Sequence, residues 1–455
     1  MSADDPEKNR MSERARRYVR VGAGVGQATA RIAGARLIGQ SSRGSEAALL
    51  RAALGNLRGP IVKVAQLLAT IPDLLPPEYT AELQKLQAQA PAMGYAFVKR
   101  RMQAELGADW RMKFADFAHE PSAAASLGQV HRATAHDGTA LAVKLQYPDM
   151  QSAVEADLKQ LDFVFSLHAR FDRAIDTSQM RGEIAARIRE ELDYRREARH
   201  LLLYHHILRH EPLVRVPDLR PELSTGRLLS MTWVDGDPLL NHRDASQQDR
   251  NLLATALFRA WWHPFSQFAV IHGDPHLGNY TVRRDQGAAQ GINLLDFGCV
   301  RIFPPRFVSG VIDLYEGLRD GRPDQVVHAY DIWGFKNLSL ELIDTLNIWA
   351  RFIYGPMLED RVRTIADGVA PSEYGRRQAF QVHKALKERG PVTVPREFVF
   401  MDRAAIGLGS VFLHLRAELN FYRLFNDTIA NHVEDDLAAR QVHALTAVGL
   451  EPAPA

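Results

Sequence analysis

The sequence predicts an α+β fold of two lobes, a small one rich in strands and a large, mostly helical one, with an all-helical extension ahead of both. Three observations carry this. From 126 to 147 short β-rich runs are joined by the turn signal His136-Asp137-Gly138, which reads as a hairpin pairing 129–134 with 140–146. From Asn241 onward the pattern is helical, except near 280–282 and 292–295. Those exceptions flank two glycine-bearing stretches, His272-Gly273-Asp274-Pro275-His276-Leu277-Gly278-Asn279 and, behind the apolar pair Leu294-Leu295, Asp296-Phe297-Gly298.

In chain order, residues 1–15 are expected to be loose, and 16–40 carry small and apolar residues with Arg17, Arg20, Arg31 and Arg36 regularly spaced. Such a segment is either a helix lying on an anionic lipid surface or a solvated helix packed on its own domain. From 46 to 102 the pattern is helical, punctuated at Pro60, Pro72, Pro76, Pro77 and Pro91, so 16–113 reads as the extension. The small lobe is expected over 114–238: the hairpin, a helical region over 149–209 interrupted near 172–177, then a strand over 227–233 leading into the turn Asp235-Gly236-Asp237-Pro238. The large lobe follows over 239–455. Its most apolar window, 252–270, holds Arg259, His263 and Pro264, and reads as a buried helix with Trp261 and Trp262 in the core rather than as a membrane span.

At 455 residues, 46% hydrophobic and 24% charged, the chain can bury a core large enough for two or three lobes. A formal net charge of +2, with no basic run interleaved by aromatics, argues against nucleic acid as a partner. Cys299 is the single cysteine, which excludes an intrachain disulfide and a cysteine-rich zinc site and fits a reducing, cytoplasmic compartment. Residues 1–20 are polar and charged, without the apolar centre of a secretory signal or an anchor.

An Asp with an Asn five positions on, then Asp-Phe-Gly behind an apolar strand, is the two-metal phosphate-handling pattern of kinase-like enzymes. The two lobes are therefore expected to form a bilobal protein-kinase-like fold. In that chemistry Asp274 orients or deprotonates the attacking hydroxyl or water, while Asn279 and Asp296 hold Mg2+ against the phosphates of ATP. Short, rigidly placed oxygen donors suit Mg2+, a hard cation with strict octahedral demands. In Leu141-Ala142-Val143-Lys144 an apolar strand delivers one lysine, the candidate for the α and β phosphates. A lysine there wants a carboxylate. On a helix drawn through 190–198, Asp193 and Glu197 share a face and Glu191 points elsewhere, which assigns Glu197 to Lys144.

The stretch before the hairpin, with Ala123, Ala124, Ala125 and Ser126, stands where a protein kinase has glycines over the phosphates. Alanine takes positive φ only at a cost, so this is either a nucleotide loop of another kind or a helix start capped by Ser122. His272 is expected to brace the catalytic loop through a backbone hydrogen bond, with His276 packed beside it, in preference to the two forming a metal site.

Together these pieces resemble the UbiB-type (AarF/UbiB) atypical kinase-like family associated with isoprenoid quinone biosynthesis. They are Ala-Ala-Ala-Ser-Leu-Gly-Gln-Val-His at 123–131, Ala-Val-Lys at 142–144, Glu-Leu-Asp-Tyr at 191–194 with Glu197-Ala198, His-Gly-Asp-Pro-His-Leu-Gly-Asn and Asp-Phe-Gly, in the family's order. Upstream, the run from Arg58 to Gln66, with Lys63, is similar to the family's Lys-x-Gly-Gln extension. The resemblance covers roughly residues 50–300. It implies an atypical kinase or ATPase that uses ATP and Mg2+ and assists ubiquinone biosynthesis, working with quinone-biosynthesis proteins and anionic lipid at the inner face of a membrane. It implies too that Ala123, Ala124, Ala125 and Ser126 line the nucleotide and that backbone groups at Thr232 and Val234 read the adenine. Ala65 replaces the glycine of the extension, His200 stands where the family usually has Asn, and Thr232 replaces an acidic residue. No C-terminal pair of hydrophobic spans is present, so peripheral association through the N-terminal helices is what the resemblance implies.

Two rival readings stand beside this one. A small-molecule kinase of the aminoglycoside or choline type shares His-Gly-Asp with an Asn five residues on, but lacks the element from Lys63 to Gln66 and the alanine-rich stretch. A non-catalytic nucleotide-sensing scaffold would need the same residues for binding alone. Lys63 and Gln66 are expected to dock across the cleft mouth, meeting Glu191 on the helix that also carries Asp193 and closing the site to peptide acceptors.

Overall fold

The computed structural model describes residues 93–124, 127–155, 158, 185–186, 188–335, 338–367, 382 and 396–453. Lys63, Gln66, Ala125, Ser126 and the arginine-bearing segment 16–40 lie outside the described residues. The chain divides into two units. One holds the described residues up to Arg196 together with Leu219–Trp233, and the other holds Glu197–Asp218 with those from Val234 on.

Unit one begins with helix α1 (Tyr95–Leu106), which stops at Gly107 because the chain there takes φ +94°, open to glycine. Strands β1 (Asp116–Phe117), β2 (Ala123–Ala124), β3 (Gly128–Thr134) and β4 (Ala140–Gln146) follow, and later β6 (Leu228–Thr232) completes one antiparallel sheet in the order β1-β3-β4-β6, with β2 on β3. The β3–β4 hairpin has the register expected of it: Val130 faces Lys144, and Thr134 faces Ala140. Its turn is local chemistry. Gly138 sits at φ +82°, and Asp137 Oδ1 accepts the Thr139 amide at 2.8 Å. Val98 and Met102, one helical turn apart on α1, share a buried core with Leu141, Val143 and Leu145 of β4.

One charge network fixes the end of β4. Arg101 on α1, with a side chain fully shielded from solvent, donates to the carbonyls of Gln146 (2.9 Å) and Tyr147 (3.0 Å) and pairs with Glu105. Glu105 also receives Arg227 at 2.7 Å and the Thr225 hydroxyl at 2.6 Å. Removing the acid strands a buried guanidinium, so Glu105→Ala is expected to lower unfolding stability by about 3–5 kcal/mol. Chemical denaturation checks this, and a loss below about 1 kcal/mol, the worth of an exposed pair, would count against the network.

The described part of the alanine-rich stretch, Ala123–Ala124, is an edge strand, not a helix start: Ala123 pairs with Val130, Ala124 with Gln129, and the Ser122 amide donates to the Val130 carbonyl. The helix drawn through 190–198 is broken at 191–193, and α2 (Tyr194–Ile207) starts afresh. Asp193 Oδ1 accepts the Arg196 amide at 3.1 Å, which makes Asp193 the helix cap. A short carboxylate gains more by satisfying an orphan amide than by sitting inside a helix, and the face argument for Glu191 and Asp193 loses its premise.

Unit two is built around helix α3 (Gln247–Phe268), capped by Ser246 and ended at Ala269 in the left-handed region. Leu253, Leu257, Phe258, Trp261, Trp262 and Phe265 are all buried, so it is apolar around much of its girth, as a central helix must be. Among the described residues no helix is long and apolar enough to cross a membrane. Strand β5 (Val214–Arg215) pairs in parallel with β10 (Ala288–Leu294), β10 with β9 (Tyr280–Asp285), and β9 with β7 (Asp237–Pro238). The expected turn at 235–238 thus contributes a strand. A further pair, β8 (Val270–His272) with β11 (Val300–Ile302), was not legible in the sequence pattern. Helices α4 (Pro305–Asp320), α5 (Pro323–Ile332), α6 (Leu340–Tyr354), α7 (Arg396–Leu415), α8 (Phe421–Ile429) and α9 (Glu434–Ala447) follow.

Candidate active site

The loop after β8 is held by its own backbone. Gly273 donates to the Cys299 carbonyl at 2.6 Å, and a methyl group at 273 would lie 2.7 Å from that oxygen, so only glycine fits. The Asp274 amide donates to His272 Nδ1 at 3.3 Å, which leaves the proton on Nε2, and Nε2 donates to the Asp296 carbonyl. Asn279 Nδ2 donates to the Asp274 carbonyl at 3.1 Å. Asp274 is therefore gripped at both its amide and its carbonyl while its carboxylate takes no part in either bond. His272 braces the loop as expected. His276 does not pack beside it: it is exposed and caps its own turn, with Nδ1 accepting the Gly278 amide at 3.0 Å.

The β9–β10 hairpin joins Asn279 to Asp296. Its register sets Tyr280 opposite Leu294, and the Leu295 amide then donates to the Asn279 carbonyl at 3.1 Å. Asp296 Oδ1 accepts the Gly298 amide at 2.9 Å, which fixes the carboxylate's direction. Because the Asn279 amide nitrogen is committed to Asp274, its oxygen is turned away from that carbonyl. An amide oxygen and a carboxylate at one hairpin end are the donor set Mg2+ takes when water and phosphate complete its shell, so these residues fit the ion. Among the described residues, no group of three or more His, Cys, Asp or Glu side chains has the geometry of a metal site.

Helix α2 presents one face to this hairpin end. Glu197, His200 and Tyr204 lie at steps of three and four. A methyl at Gly298 would stand 3.3 Å from Asp296 Oδ1 and 3.9 Å from Glu197 Oε2, so both carboxylates border the same glycine. His200, 1% exposed, bonds through Nδ1 to the Phe297 carbonyl at 3.0 Å, and Phe297 packs against the rings of Tyr204 and His272. His200 is thus a second anchor of the Asp-Phe-Gly backbone. Tyr280 is also buried here. Burial first, and then the charge of Asp274, push its hydroxyl pKa well up.

In unit one, Lys144 is half-buried with its ammonium 5.2 Å from the centre of the Tyr194 ring. Ala123 and Ala124 are exposed on the edge strand, and Thr232 ends β6 opposite Leu141. Val234 begins the other unit, as Glu197 does. Gln129 belongs to the motif at 123–131. It is 1% exposed, accepts the Met93 amide at 2.8 Å and donates to His131, so it ties the sheet to the entry of α1.

A family model for the ABC1 atypical kinase-like domain matches residues 85–329. The chain is 30% identical over 290 residues to the atypical kinase COQ8, mitochondrial, of Saccharomyces cerevisiae, covering 63% of this chain and 57% of that protein. It is 30% identical to the atypical kinase COQ8B, mitochondrial, of Rattus norvegicus, over 60% of this chain and 52% of that one. The chain thus spans little more than half the length of these relatives. A solved complex of Rv3197 with erythromycin from Mycobacterium tuberculosis is similar at a TM-score of 0.59 and 26% identity, covering 83% of this chain and 93% of that one.

Proposed function

The chain belongs to the ABC1 atypical kinase-like (UbiB) family, and from that premise we propose that it binds ATP with Mg2+ and transfers or hydrolyses the γ-phosphoryl group in support of ubiquinone biosynthesis. One observation carries the reading: Asn279 and Asp296 meet at one hairpin end, next to an Asp274 whose backbone is held on both sides. Asn279 and Asp296 would hold the ion, which when bound neutralises the phosphates and polarises the group in transfer. Asp274 orients or deprotonates the acceptor hydroxyl or water. By the family resemblance, Lys144 would serve the α and β phosphates, Glu197 would supply the carboxylate of that pattern, and Ala123, Ala124, Thr232 and Val234 would be the nucleotide residues.

The COQ8 names of the similar proteins, with the motif order, support the link to quinone synthesis. Steady-state phosphate release by the full chain tests the enzymatic half: Mg2+-dependent turnover is expected, and failure both to bind and to turn over ATP overturns it. Profiling quinones and prenylated precursors in a strain lacking the gene tests the other half, and an unchanged profile removes the link. Peripheral attachment to anionic lipid at the inner face of the membrane through 16–40 belongs to the same reading, at about 1 kcal/mol per basic residue near the surface. Flotation with liposomes should weaken when 1–40 are deleted, and equal flotation rejects it.

A further inference from the structure

We infer that Gly407, on α7, is a positioning residue for Asp274, and that α7 clamps the catalytic loop from outside. The inference rests on the reading of that loop as catalytic. Gly407 meets the ring of Pro275, the residue after Asp274, so closely that a methyl group at 407 would lie 2.9 Å from Pro275 Cβ and closer still to Cγ. A proline ring has no rotamer by which to step aside. Gly409, two residues on, has open space around it, so the closeness belongs to this contact and not to the helix at large. Ala404 and Val411, three residues before and four after, are buried at 1% and 2%. Seated by that face, α7 cannot roll away from the loop without exposing them.

On the other side, the Asp274 amide is held by His272 and its carbonyl by Asn279. The Asp274–Pro275 peptide is thus gripped by hydrogen bonds and pressed by a helix, and a side chain at 407 must push the loop against those bonds. Helix α7 starts well downstream of the family domain, so no motif of that domain announces the clamp.

The test compares Gly407→Ala, Gly409→Ala and the pair Gly407→Ala with Pro275→Ala in the full chain, with kcat normalised to the folded, ATP-binding fraction. Gly407→Ala is expected to lower kcat about 10- to 100-fold with KM for ATP little changed, as a small misplacement of a catalytic group does. Gly409→Ala should match the wild type, and the paired variant should recover most of the loss. Hydrogen exchange at the amides of 272–279 should quicken in Gly407→Ala alone. Wild-type kcat and exchange in Gly407→Ala would overturn the clamp. A wild-type chain without nucleotide turnover would instead overturn the kinase-like reading, and the exchange comparison would still decide the contact.

Discussion

Asp274→Asn is expected to leave the chain folded and able to bind ATP while lowering its turnover about 10²- to 10⁴-fold, the usual contribution of a positioned general base. The bonds that place Asp274 use its amide and its carbonyl, so an isosteric amide side chain preserves the loop and removes only the carboxylate. The same substitution removes the charge that helps raise the Tyr280 pKa, which should therefore fall part of the way toward its ordinary value. Steady-state phosphate release measures the first effect. Wild-type turnover in a folded Asp274→Asn would make the loop a binding element only, as in a nucleotide-sensing scaffold.

Asp296→Asn is expected to weaken binding of Mg2+-ATP by at least the roughly 10- to 100-fold that losing even an outer-shell partner costs a metal site. Asparagine keeps an oxygen for the Gly298 amide, and the Asp296 carbonyl still accepts His272, so the turn survives and one formal charge is lost. Calorimetric titration separates charge from shape: affinity should fall in Mg2+ and stay near the wild-type value in EDTA. Equal affinity in Mg2+ would remove Asp296 from the ion.

What was legible in the sequence was local. The β3–β4 hairpin could be placed because Asp137 and Gly138 make its turn from their own chemistry, and the loop at 272–279 stood out by its glycines and short polar residues. Two local signals were misread. Asp193 ahead of Tyr194 is a cap signal, hidden inside a run of charges that looked like continuous helix. Strands of two or three residues, such as β7, β8 and β11, are too short to show a period of two. The remaining features are contacts between distant residues: His200 meets Phe297 across 97 positions, and Gly407 meets Pro275 from beyond the family domain. No periodicity or propensity marks such a pair, because the geometry that requires it exists only once the chain has folded.

The end of the β9–β10 hairpin is proposed to hold a divalent ion together with ATP. Electron paramagnetic resonance of Mn2+, used in place of Mg2+, tests it most directly and without reliance on turnover. The wild-type chain should bind Mn2+ in an ATP-dependent manner, and the paired variant Asn279→Ala with Asp296→Asn should lose that signal while retaining its fold. An ATP-dependent signal of equal strength in both proteins would contradict the account.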